Sequence, residues 1–371
     1  MMPARRPVEV SAPGKLILMG EHAAVYGRPA LVAAIDLRLT ARLSPLPPEE
    51  IGEVRLDLPG LAHRETASWE ALRAYARAAR ERWDRYAEHP APAAFQEVRG
   101  KDPAHVVKIA LGEAAEVLGE AVSGLGGACL RIDSGLPIGS GFGSSAATAT
   151  AVVAAVLAFG SEGAEVEPVR LARLALEVER RQHGLPSGVD GATVLQGGVV
   201  WARRLDSGDL ETEPVAVRSD LLRRLRVYDT GTPAEPTGAV VAAVRALRER
   251  DPARHERTLD RMEAATRALR ASLEGDDGDP DRTLHLFREH EACLEDLGVI
   301  PEEVRALVRR VEAEGGAAKI SGAGSLSGPG AGSLLVYHPD PERVARWQFL
   351  RPFPFYPVHL GAPGFRREDL G

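Results

Sequence analysis

The chain has little cysteine, little lysine and no long apolar run, and each shortage excludes something. Only Cys129 and Cys293 occur in 371 residues, far apart and without neighbours at metal-ligand spacing. Neither a disulfide framework nor a zinc cluster is expected, and a reducing, cytoplasmic setting fits. The formal net charge is −7, so no excess of cations exists to neutralise the phosphates of a nucleic acid or a membrane surface. The longest run of apolar and small residues, Ala146 to Phe159, falls short of the ~20 residues that span a bilayer. The opening MMPARRPVEV carries arginines without an apolar stretch behind them, so no secretory signal is expected there. Basic residues are almost all arginine. Lysine stands only at Lys15, Lys101, Lys108 and Lys319.

What is present is ordinary globular material, with 44% apolar and 27% charged residues. The length favours two domains sharing a cleft. Residues 7–19 read as two short strands broken at Pro13-Gly14, followed by a loop and a strand in GEHAAVYGRPALVAAI. Ser68 is a plausible N-cap for a helix over 68–88, with Trp69, Leu72, Ala76, Ala79 and Trp83 on one face. Asp102-Pro103 opens a second helix, ACLRID (128–133) is a strand, and a small-residue helix runs to about Phe159. A further helix from about Glu167 to Gln182 stops at His183-Gly184, since glycine after the last turn ends helices, and a strand covers 197–204. Past residue 205 the texture changes to charged amphipathic helices over 237–250, 253–273, 280–296 and 301–314, with a surface turn at 275–281. The strands AAKIS, SLLVYH and YPVHLG are mixed among or follow them, which suggests an α+β sandwich.

Four stretches carry chemistry. In Pro137-Ile138-Gly139-Ser140-Gly141-Phe142-Gly143-Ser144-Ser145-Ala146, alternate glycines follow a strand and precede a helix whose first turn holds two hydroxyls. Glycine lets backbone amides face an anion, and the helix N-terminus adds free N–H groups and a positive dipole end. Tight packing alone accounts for such a turn equally well, and the pattern is neither a Walker A loop nor a Rossmann fingerprint. In ERRQHGLPSGVD, Glu179 near a helix end and Asp190 after a constrained loop could divide metal and proton work. The alternative is a solvated helix glutamate and a turn aspartate. His183 reads as a helix-end cap. In SAPGKLILMGEH, Lys15 emerges from a turn between apolar segments, either facing a cleft or snorkelling at an edge. Its retention in an arginine-rich chain favours the cleft. Lys319-Ile320-Ser321-Gly322-Ala323-Gly324, continuing to Gly332, is either a second amide cradle or a flexible hairpin.

Together and in this order, the stretches resemble the GHMP kinases. The central one is similar to the family's PxxxGLGSSAA phosphate loop, with Phe142 in place of the usual leucine. APGKLILMGEHAAVYGRPAL, HGLPSGVD and HEACLEDLGV (290–299) are closest to the mevalonate kinase branch. The resemblance spans nearly the whole chain. It implies an N-terminal ribosomal-protein-S5-domain-2-like α/β domain over residues 1–205 and a C-terminal ferredoxin-like α+β domain over 206–371. It implies ATP-dependent phosphorylation of a small-molecule hydroxyl, that of mevalonate to give 5-phosphomevalonate in isoprenoid biosynthesis, with Mg²⁺. A sugar, phosphomevalonate or another small alcohol is the alternative acceptor, and a non-catalytic nucleotide-binding regulator is a further one. No nucleic-acid or membrane partner is implied, and a homodimer stays open.

Carried over residue by residue, the resemblance makes Asp190 the general base and Lys15 its neighbour, stabilising the nascent alkoxide. Ser145 and Glu179 would hold Mg²⁺. Pro137, Gly139, Ser140, Gly141, Phe142, Gly143, Ser144, Ser145 and Ala146 would form the ATP-binding loop. Glu21 and His22, with Lys15 and Asp190, would lie at the substrate end. Two stretches depart from the family pattern. The last loop, expected as GAGGGG, has Ser325 and Leu326 for glycines and about four extra residues. Thr230 to Thr237 resembles the TGxxxxT stretch with one residue added.

Overall fold

The computed structural model describes residues 5–88, 98, 100–161, 166–184, 186–276 and 279–369. The turn expected at 275–281 lies partly outside them.

The first sheet is built on two long strands, β1 (Val8–Met19) and β2 (Ala30–Pro45), paired antiparallel along most of their length. The expected break at Pro13-Gly14 is not there. β1 runs through it, because the register shifts from Pro13 opposite Arg38 to Gly14 opposite Ile35, and this bulge absorbs the proline's missing donor. β3 (Glu53–Leu58) and β4 (His63–Ser68) form a hairpin that the sequence reading left out, though Val54, Leu56 and Leu58 alternate inward. Ser68 caps α1 (Trp69–Glu88) as expected: its hydroxyl accepts from the Ala71 N–H at 3.1 Å. α2 (His105–Leu118) and β5 (Ala128–Ser134) follow.

α3 (Ser144–Gly160) is apolar on every side, the signature of a helix with no solvent face, and it lies in the core against β1, β2, α2 and α4 (Pro168–His183). α5 (Val189–Gln196) is short, and β6 (Val199–Arg204) pairs with β2 and with β7 (Leu210–Pro214), which the sequence reading also left out. The main path of this sheet is β1-β2-β5-β3-β4, with β12 (Arg366–Glu368) added beyond β1.

The second sheet starts at β8 (Leu225–Asp229), followed by α6 (Thr237–Arg250), α7 (Pro252–Glu274), α8 (Pro280–Asp296) and α9 (Glu302–Ala313). β9 (Ala317–Ser321), β10 (Ser333–Tyr337) and β11 (Phe355–Tyr356) complete the order β11-β8-β10-β9. YPVHLG is not one strand but a crossing between the sheets. Tyr356 pairs with Val227 in the second, Leu360 bridges Ile35 in the first, and β12 (Arg366–Glu368) then pairs with β1. The architecture is the expected mixed α/β fold on two sheets. Among the described residues no helix is long and apolar enough to cross a membrane.

Candidate active site

The glycine-rich stretch is the connection from β5 into α3. Gly139, Gly141 and Gly143 hold φ of 80°, 82° and 79°, a region that side chains avoid. Space is short as well. A Cβ on Gly141 would stand 2.7 Å from the Ser321 carbonyl oxygen, and one on Gly143 would stand 2.7 Å from Lys15 Cγ. The loop is pinned to β1 by the Lys15 N–H, which donates to the Phe142 carbonyl at 2.9 Å. The bulge after Pro13 thus presents Lys15 beside the loop.

Lys15 is buried, and its Nζ lies 2.9 Å from Asp190 Oδ2, in the first turn of α5. The pair faces a cavity of about 420 Å³ that is also lined by Glu21, His22, Glu179 and Ser145. A second cavity of about 790 Å³ opens on the other side of the glycine loop, with Leu58, Leu61, Val106, Ile132 and Ile138 in its wall. Gly139, Gly141, Ser144 and Ser145 line both. The loop therefore lies between the chamber holding the Lys15–Asp190 pair and a larger chamber whose wall mixes those apolar side chains with Asp102, His105 and Glu235. Gly143 and Ala146 also line the first chamber, whereas Pro137, Ser140 and Phe142 line neither. Phe142 is buried with its ring 4.9 Å from that of Tyr356, and the Ser140 carbonyl accepts from the Ser333 N–H at 2.9 Å. These residues fix the loop from outside its concave face.

Two buried oxygens beside the loop have no hydrogen-bond partner among the described residues, Ser145 Oγ and Glu179 Oε2. Burial, reinforced by the negative charge of Asp190, pushes the Glu179 carboxyl up to about 8. An orphaned hydroxyl and an orphaned carboxyl next to an aspartate form an oxygen donor set suited to a hard divalent cation. Gly191 leaves room for this carboxyl, since a Cβ there would stand 3.2 Å from Glu179 Oε2. His183 is the last residue of α4, where a helix-end cap away from substrate is expected, yet it lines both cavities.

Glu21 and His22 line the first chamber, but both are tied down. The fully buried Lys319 ammonium bonds the Glu21 carboxylate and also donates to the Ile320 carbonyl at 2.7 Å. His22, at φ 55°, donates from Nε2 to the Ala323 carbonyl at 2.9 Å. The His290 ring accepts the Gly20 N–H at 2.9 Å, and Glu291 accepts the Ile320 N–H at 3.0 Å. HEACLEDLGV thus seats the Gly20-Glu21-His22 turn against β9. Sequence reasoning gave Lys319, His290 and Glu291 no such role. The scarcity of lysine was the one available signal.

Burial pushes Glu291 up to about 8, so it stays protonated when folded and ionises when unfolded above its ordinary 4.5. The folded state then binds more protons, and stability falls as pH rises from about 4.5 to about 8. Glu291→Gln should remove this share of the decline, so its melting temperature drops less than wild type between pH 5.5 and 8 in thermal scans. Parallel pH profiles would contradict the assignment.

Comparison with known proteins agrees with this geometry. The model of the GHMP kinases N terminal domain matches residues 105–198. The mevalonate kinase of Archaeoglobus fulgidus is 30% identical over 319 residues, covering 85% of this chain and 88% of that protein. That of Pyrococcus furiosus is 30% identical over 342 residues, covering 91% and 90%. Among solved structures, Methanococcus jannaschii mevalonate kinase superposes with a TM-score of 0.72 at 18% identity, covering 97% of this chain and 99% of that one. L. major mevalonate kinase in complex with R-mevalonate gives a TM-score of 0.67 at 21% identity, covering 95% and 96%.

Proposed function

This chain is a GHMP kinase of the mevalonate kinase family, and from that membership we propose that it transfers the γ-phosphoryl group of ATP to the hydroxyl of mevalonate. The observation that carries the reading is the Lys15–Asp190 pair at 2.9 Å, set across the glycine loop from the larger chamber. In this reading the nucleoside occupies the larger chamber, against Leu58, Val106 and Ile138, and the acceptor alcohol the chamber of Lys15 and Asp190. The phosphates lie between them, against the amides of Gly139 to Ser145 at the N-terminus of α3.

Asp190 takes the proton of the acceptor hydroxyl as its oxygen attacks phosphorus. Lys15, held beside it by β1, offsets the charge developing on the oxygens. Glu21 and His22, immobilised by Lys319 and Ala323, shape the acceptor end. Ser145 and Glu179 would hold Mg²⁺, which supplies neutralisation of the β- and γ-phosphate charge. Most of the acceleration comes from position and electrostatics, as phosphoryl transfer requires. The division into domains at residues 1–205 and 206–371 belongs to the same reading, with the acceptor turn of the first held by α8 and β9 of the second.

The metal assignment has its own consequence. Ser145→Ala and Glu179→Gln should each raise the Mg²⁺ concentration for half-maximal rate, since each removes an oxygen ligand or its charge. A titration of both variants indistinguishable from wild type would remove these residues from the metal site. The acceptor itself is tested by an ADP-release assay over a panel of alcohols. Mevalonate should give the highest kcat/KM, and a sugar or phosphomevalonate outrunning it would overturn the substrate assignment.

A further inference from the structure

The two stretches that depart from the family pattern touch each other. The carboxylate of Glu235, in the segment with the added residue, accepts three hydrogen bonds from the lengthened glycine loop. They come from Ser325 Oγ at 2.7 Å, the Leu326 N–H at 2.9 Å and Ser327 Oγ at 2.5 Å. Ser325 is fully buried, and its hydroxyl accepts the Ala234 N–H at 3.2 Å in return. A buried serine where a glycine is usual is costly unless satisfied, and here both of its roles are filled.

The same two segments are joined at their other end. The Gly332 carbonyl accepts from the Thr230 N–H at 2.9 Å and from Thr230 Oγ1 at 2.7 Å, and the Gly332 N–H donates to the Gly231 carbonyl at 2.9 Å. One residue on, the Ser333 N–H donates to the Ser140 carbonyl at 2.9 Å, inside the phosphate loop. Ser333 Oγ also holds the Ser321 carbonyl at 3.0 Å, the oxygen against which Gly141 is packed. The lengthened loop is therefore held at both ends, by Glu235 at Ser325–Ser327 and by Thr230, Gly231 and the backbone of the first loop at Gly332–Ser333. Glu235, Gly324 and Ala331 all line the larger chamber.

We infer that Glu235 is a positioning residue for the nucleotide. It clasps the loop between β9 and β10 shut and so sets the backbone that meets the phosphates. The added residue before Thr237 and the lengthened loop are thus one device in two pieces, the first supplying the acceptor and the second its donors. This rests on the reading of the larger chamber as the nucleotide site.

The test is ATP affinity by calorimetry together with steady-state kinetics on the full chain. Glu235→Ala should raise both Kd and KM for ATP about tenfold, the scale of losing hydrogen bonds to a charged group. The KM for the acceptor should stay within about twofold. Glu235→Gln keeps acceptor oxygen but loses the charge, so it should recover part of the loss. Ser325→Ala should add little on top of Glu235→Ala, because the two act through one contact. A purely structural role would lower the melting temperature and the active fraction without moving the KM for ATP. An unchanged Kd for ATP in Glu235→Ala, with wild type binding normally, overturns the inference. Wild type failing to bind ATP would instead overturn the reading of the chamber.

Discussion

Replacing Asp190 with Asn should lower turnover by about 10²–10⁴-fold, the usual contribution of a general base. Asparagine keeps the size and much of the hydrogen bonding, so the loop between α4 and α5 should stay in place. It cannot take the hydroxyl proton, and it leaves Lys15, buried and 2.9 Å away, without a counter-charge. Affinity for ATP and for the alcohol should change little, since the lost interaction matters mainly in the transition state. Lys15→Met acts on the same step. The double variant should be no slower than about the poorer single one, because groups working as a unit are not additive. Stopped-flow or quench-flow measurement of the chemical step checks both statements. A near-normal rate in Asp190→Asn would leave this residue a turn aspartate.

The second large effect belongs to Gly141. Valine there must adopt a φ near 82° and place its Cβ 2.7 Å from the Ser321 carbonyl oxygen, which is backbone and cannot swing aside. The loop must move, and its amides move with it. ATP affinity should fall roughly 10–100-fold, the range that backbone strain of this kind gives. Gly139→Ala is the control for strain alone, since its added Cβ would meet only Thr232 Cγ2 at 3.4 Å. Its loss should be clearly smaller. Calorimetry with an intact circular dichroism spectrum is the measurement, and equal affinities for Gly141→Val and wild type would take the loop out of the nucleotide site.

Much of this was legible before the fold was known, and for a physical reason. The glycine spacing before a helix, the paired hydroxyls of Ser144 and Ser145, and a lysine retained among arginines are local patterns that restrict local geometry. The small-residue run from Ala146 to Phe159 was legible as a helix, and its burial on all sides follows from having no polar face. What stayed hidden depends on contacts distant in sequence. Nothing near Glu21 reveals that Lys319, 298 residues later, neutralises it. The continuity of β1 through Pro13-Gly14 rests on an offset in β2 that absorbs the bulge, which proline chemistry read in isolation cannot supply. YPVHLG reads as a strand because its apolar residues fit one, yet it divides its pairing between two sheets. The two family departures looked like separate irregularities until Glu235 was seen holding Ser325 and Ser327.

The most direct test of the whole account is to incubate the protein with ATP, Mg²⁺ and mevalonate and follow the products by phosphorus NMR. The account predicts stoichiometric appearance of ADP and a new phosphomonoester on the mevalonate hydroxyl, abolished in practice by Asp190→Asn. ATP left unconsumed, or hydrolysed to inorganic phosphate with no ester formed, would contradict it.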